Sequence, residues 1–118
     1  MPERVLVVDD HPGFRVLARR LLEDAGYTVV GEASTGAEAV HQVEQLKPDV
    51  VLLDIQLPDL DGFGVATLLN SRPAPPTIVL ISSRDIVDYE PRMNECGAIG
   101  FIAKADLSRL SLRTLLGR

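Results

Sequence analysis

The sequence predicts an α/β domain in which one parallel sheet carries helices on both faces. Three observations predict it. Five short apolar runs rich in β-branched residues are spaced along the chain, and segments with helical periodicity alternate with them. A length of 118 residues, 46% hydrophobic and 25% charged, suits a single globular core, so residues 1–118 are expected to form one domain. Strands and helices in strict alternation are joined by right-handed crossovers, which place helices on either side of a parallel sheet.

The elements follow in order. Residues 5–8 are apolar at consecutive positions, as suits a strand buried on both faces. Phe14, Leu17, Ala18, Leu21, Leu22 and Ala25 then recur at helical spacing, with Pro12 admissible in the first turn and Gly26 placed to end the helix. Residues 28–30 form the second strand and 36–46 the second helix; residues 50–53 form the third strand and 62–71 the third helix. The stretch from Arg72 to Pro76 resembles a linker in composition, but its few residues fall where a helix must hand over to the fourth strand at 78–81. A short helix is expected before Gly97, the fifth strand at 99–102, and a last helix over 106–116 with Asp106 as its N-cap.

Composition excludes several classes of function. Seventeen acidic against twelve basic residues give a net charge of -5, so the broad basic surface needed for phosphate-backbone binding is missing and no direct nucleic-acid binding is expected. One cysteine, Cys96, rules out an internal disulfide framework and a multi-cysteine zinc site. No apolar run approaches the roughly 20 residues that span a bilayer, and the first residues lack a signal-peptide pattern. A soluble, cytoplasmic protein without membrane contact is the expectation.

Polar residues collect where the strands end, which is where doubly wound sheets bind ligands. The first strand runs into Asp9 and Asp10, the third into Asp54, the fourth into Ser82 and Ser83, and the fifth delivers Lys104. Taken singly, each has an ordinary explanation as a helix cap or a solvated charge. Taken together they do not. Two carboxylates about 4 Å apart repel by roughly 4 kcal/mol at an effective dielectric of about 20, so a cluster of three needs a cation or must partly protonate. Oxygen donors select a hard cation, and Mg²⁺ suits them because it accepts one or two carboxylates and recruits a phosphate oxygen.

Asp9-Asp10, Asp54 followed by Leu57-Pro58-Asp59-Leu60-Asp61-Gly62, then Ser82, and Phe101-Ile102-Ala103-Lys104 together resemble a response-regulator receiver domain of two-component signal transduction. The resemblance covers essentially the whole chain. It implies a flavodoxin-like fold with five parallel strands in the order 2-1-3-4-5 and five helices. It also implies that Asp54 accepts a phosphoryl group from a sensor histidine kinase or phosphotransfer protein. Asp9, Asp10, Asp54 and the backbone carbonyl of Gln56 would hold Mg²⁺, Ser82 and Lys104 would contact the phosphoryl oxygens, and Phe101 would be the aromatic switch residue. The readout would be the surface of the fourth helix, fifth strand and fifth helix, with a possible phosphorylation-dependent homodimer.

Several motifs are decoys and several positions depart from the family. Leu57 and Asn70 stand where a calcium loop needs its first and last ligands, so the Asp59–Gly62 run is expected to be a turn. Gly62-Phe63-Gly64 lacks the third glycine of a dinucleotide fingerprint. His11 is expected to be a solvent-exposed residue at the start of a helix, and Cys96 a small packed hydrophobe. Ala105 replaces the proline that often follows the lysine, and Lys104-Ala105-Asp106-Leu107 is more like receivers attached to LuxR-type output domains. Pro91 falls in the fourth helix and should shorten or kink it. Arg84, two residues after Ser82, is placed to overhang the site.

Three functions from different classes are open to these residues. A phosphorylation-dependent switch, either alone or as part of a longer protein with an output domain, uses every one of them. An Mg²⁺-dependent phosphohydrolase would want an acid/base carboxylate two residues beyond Asp54, where Gln56 stands, so the chain is not expected to be an enzyme beyond its own aspartyl phosphorylation and dephosphorylation. A receiver-like interaction module that is never phosphorylated would not need Asp9, Asp10, Asp54, Ser82 and Lys104 all intact.

Overall fold

Side chains alternate between the two faces of a strand, so a run that is apolar throughout must be covered on both sides. The computed structural model, which describes residues 3–83, 92 and 95–117, has this arrangement. Its strands are β1 (Arg4–Val8), β2 (Thr28–Ala33), β3 (Val50–Asp54), β4 (Thr77–Ser82) and β5 (Gly100–Ala103). All neighbours are parallel, in the order β2-β1-β3-β4-β5. Val5, Val7, Val50, Leu52, Val79 and Ile81 pack into one core, beneath α1 (Pro12–Asp24) and the C-terminal helix α4 (Arg109–Leu116). Leu6, Val8, Val51, Leu53, Ile78 and Leu80 pack into the other, beneath α2 (Gly36–Leu46) and α3 (Gly62–Asn70). This is the predicted flavodoxin-like α/β fold.

The structure corrects details. Strand β2 continues three residues past its expected end, because after a one-residue shift of register at Val30 the residues Gly31, Glu32 and Ala33 pair with Leu6, Val7 and Val8 of β1. Glu32 is tolerated there because Arg15 and Arg19 pair with its two carboxylate oxygens, each at 3.0 Å. Leu17, expected on the buried stripe of α1, is 50% exposed. The stripe is formed by Phe14, Ala18, Leu21, Leu22 and Ala25, and at 100° per residue Leu17 falls at its margin. Ile99 lies outside β5 and is also exposed.

The start of the last helix is likewise corrected. Asp106 does not cap it; it ends a 3-10 turn over Lys104–Asp106. Ser108 is the cap. Its hydroxyl accepts from the Ser111 N–H at 3.0 Å, and the Ser111 hydroxyl accepts from the Ser108 N–H at 2.8 Å, a reciprocal capping box. Of the expected fourth helix, Arg92 and Glu95 are helical, and Gly97 follows at φ +83. Arg84 and Pro91 lie outside the described residues.

Candidate functional site

Strand order reverses at β1, whose neighbours are β2 on one side and β3 on the other, and this opens a crevice at the carboxyl ends of the strands. Val8 pairs with Leu53, so the residues that follow them, Asp9 and Asp54, arrive side by side. Both are buried, at 0% and 2% exposure, while Asp10 is exposed at the rim. Ser82 ends β4, fully buried and in register with Ala103 of β5, and Lys104 comes next in the chain. Asp9, Asp10, His11 and Asp54 each bring one donor atom within 4.8 Å of the others.

Lys104 closes the cluster. Its Nζ stands 2.6 Å from Asp9 Oδ2 and 3.3 Å from Asp54 Oδ2, and lies 4.6 Å from the centroid of the Phe14 ring, which gives the ammonium an aromatic floor. One lysine faces two buried carboxylates, so charge is not balanced within the site. Burial pushes the Asp54 carboxyl up from 3.8 to about 6, against the Gln56 N–H that it accepts at 3.1 Å; Asp9 raises it further and Lys104 lowers it. Burial also works against the Lys104 charge, but Asp9 and Asp54 hold it above the ordinary lysine range. The donor set, three carboxylates with an excess of negative charge, fits a hard divalent cation.

The backbone around these groups is held from outside the cluster. The Asp9 N–H donates to Ala33 O at 2.9 Å, and the Asp9 carbonyl accepts from the Arg15 guanidinium at 2.6 Å, which Glu32 orients. On the other side, Gly62 passes so close to β3 that a Cβ there would sit 2.4 Å from Asp54 O and 2.6 Å from Ile55 Cα. The Gly62 N–H donates to Ile55 O at 2.8 Å, and Gln56 bridges to Asp61, so residues 55–62 form a closed loop. Gln56 stands at its start, two residues after Asp54.

The calcium-loop decoy is indeed a turn, and its two aspartates have separate tasks. Asp61 caps α3 by accepting from the Phe63 N–H at 2.7 Å. Asp59 reaches across to α2 and accepts from the Gly36 and Ala37 N–H groups at 2.7 and 3.0 Å, which holds its carboxyl below the usual range. Sequence reasoning missed this tie. The only signal was that the first N–H groups of a helix need acceptors, and nothing in the chain names one 22 or 23 residues away. Phe101 is partly buried against the core beneath α2 and α3, and lines a groove of about 600 Å³ between β5 and α4 with Leu110 and Leu115. Cys96 is buried, as expected.

A five-stranded parallel sheet in this order, with carboxylates at its switch point and a lysine after its last strand, defines a class of signalling domain. Residues 5–114 match the response regulator receiver domain, and the chain belongs to that family. It is 37% identical over 106 residues to the transcriptional regulatory protein PdtaR of Mycobacterium tuberculosis, a match covering 88% of this chain and 50% of that protein. Among solved structures, the signal receiver domain of NarL from Mycobacterium tuberculosis superposes with a TM-score of 0.85 at 36% identity, covering 99% of this chain and 98% of that one. A LuxR-family two-component response regulator from Aurantimonas sp. SI85-9A1 superposes with a TM-score of 0.86 at 29% identity, covering 100% and 88% of the two chains. The chain spans about half the length of the first curated relatives it matches. As a receiver domain of response regulators it takes part in phosphorylation-dependent two-component signalling. Among the described residues, no helix is long and apolar enough to cross a membrane.

Proposed function

We propose that residues 1–118 form one receiver domain, that Asp54 is its phosphoryl acceptor, and that a sensor histidine kinase or phosphotransfer protein in the cytoplasm is the donor. The observation that carries this reading is the position of Asp54: buried at a strand end, with Asp9 beside it and Lys104 3.3 Å away. An Asp54 carboxylate oxygen forms the new bond to phosphorus as the donor's bond to phosphorus breaks and its leaving nitrogen takes up a proton. Lys104 supplies positive charge to the transferring oxygens from one side. Asp9, Asp10, Asp54 and the Gln56 carbonyl would hold Mg²⁺, which would supply the further positive charge that lets an anion approach an anion.

Ser82 ends β4 beside this position and donates its hydroxyl to a new phosphoryl oxygen. Phe101 stands on β5 opposite Leu80, two residues before Ser82 on β4, and as the switch residue it changes rotamer from its partly buried position. The change reaches the groove between β5 and α4, the surface that an output domain, a target protein or a second copy reads, as a shift between two populations of a few kcal/mol. The domain acts on no other substrate and binds neither nucleic acid nor membrane itself.

Intact mass after incubation with Mg²⁺ and phosphoramidate tests the reading. One added phosphoryl group is expected, absent in Asp54→Asn and absent without Mg²⁺. An adduct that persists in Asp54→Asn, or none in the native protein at early times, would refute it.

A further inference from the structure

His11 places a nitrogen donor in a cluster whose other donors are all oxygen. It occupies the N-cap position of α1 in an extended conformation, yet its side chain makes no cap hydrogen bond. The ring instead turns back to the carboxylates, with Nδ1 3.0 Å from Asp10 Oδ1 and 3.1 Å from Asp9 Oδ1. The His11 N–H donates to that same Asp9 oxygen at 2.8 Å, and Pro12 opens the helix immediately after it. The imidazole is therefore anchored at its own backbone beside the carboxylates, and its side chain is 68% exposed and open to an incoming ion.

We propose that His11 is an ion-selecting residue of this site: its Nδ1 joins Asp9, Asp10 and Asp54 as a ligand for borderline divalent ions such as Co²⁺, while Mg²⁺ is bound by the oxygens alone. The reason is ligand softness. Carboxylate and carbonyl oxygens suit Mg²⁺, which keeps several waters and gains little from imidazole, whereas imidazole nitrogen favours the later first-row divalent metals. The inference rests on the acidic cluster being the cation site of the proposed function. It adds that the cluster discriminates among cations through a residue whose exposure alone would class it as bystander surface.

The test uses untagged protein and reads Co²⁺ binding by equilibrium dialysis and visible absorption, with Mg²⁺ binding measured in parallel. His11→Ala is expected to weaken Co²⁺ on the order of tenfold and to leave Mg²⁺ affinity unchanged. The fold should tolerate the change, since the side chain is exposed and caps nothing. His41→Ala removes the other histidine and is expected to change neither ion. Equal loss of Co²⁺ and Mg²⁺ in His11→Ala, no loss of either, or loss of Co²⁺ only in His41→Ala would overturn the proposal. No phosphoryl donor enters this measurement, so it is decided separately from whether Asp54 accepts phosphate.

Discussion

Lys104 Nζ stands 2.6 Å from Asp9 Oδ2, closer than the 3.3 Å that separates it from Asp54. The lysine is thus the counter-ion of both buried carboxylates and leans towards the one that follows β1. Lys104→Met should leave two buried carboxylates facing each other without a cation. Breaking a buried pair from one side costs roughly 3 kcal/mol or more, and urea midpoints at neutral pH without divalent ions should show a loss of that order. Adding Asp9→Asn to the same chain should recover part of it. If the double variant is no more stable than the single one, the charge account of this contact is wrong.

The Asp54 carboxyl makes stability depend on pH in a defined direction. Its folded value, about 6, lies above its ordinary 3.8, so the native state holds this proton more tightly than the unfolded chain does. Stability from this group is therefore greatest below about 4 and falls as pH rises through 6, by roughly 3 kcal/mol at most. Asp54→Asn should be more stable than the native protein at pH 7.5 in cation-free buffer, and the gap should narrow at pH 5. Saturating Mg²⁺ should close it at pH 7.5, because a bound cation stabilises the ionised form.

Asp59 ties the loop after β3 to the start of α2. Replacing it with Ala should speed amide exchange at Gly36 and Ala37, whose N–H groups lose their acceptor, while Glu38, whose N–H donates to the Thr35 hydroxyl, keeps its protection. The carboxyl sits below its ordinary 3.8, so the tie is present above that range and lost as pH falls through it. Unchanged exchange at Gly36 and Ala37 in Asp59→Ala would show that the contact contributes nothing in solution.

Two glycines of α3 should respond in opposite ways. Gly62→Ala places a methyl against the backbone of Asp54 and Ile55, which cannot move without displacing the end of β3, so a cost of about 2–3 kcal/mol is expected. Impaired phosphoryl uptake should accompany it, since the displaced strand carries Asp54. Gly64→Ala meets nothing within 4 Å in an exposed helix interior, and should stabilise by about 0.5–1 kcal/mol. Chemical denaturation of the two variants side by side measures both.

Much of the fold was legible because its signals are local. Consecutive apolar residues marked the central strands, and the alternation of strand and helix implied a parallel sheet by the handedness of crossovers. The family resemblance supplied the strand order, and the sheet has it. Misplaced boundaries have two causes: a partner distant in sequence, or a local turn that no single residue announces. Glu32 extends β2 only because Arg15 and Arg19 take its charge, and Ser108 displaces Asp106 as cap only because the chain first makes a 3-10 turn after Lys104.

By itself the sequence determined which residues end the strands, and hence that Asp9, Asp10, Asp54, Ser82 and Lys104 gather at one edge of the sheet. Only the tertiary structure decided how they sit there. Burial, the unequal reach of Lys104 and the clamp of Asp59 on α2 depend on distances between segments, and those are set by packing, not by pattern. Patterning specifies which face a side chain takes; the strength of a charge or hydrogen bond depends on ångström-scale separation and on the water excluded around it, and both exist only in the folded chain.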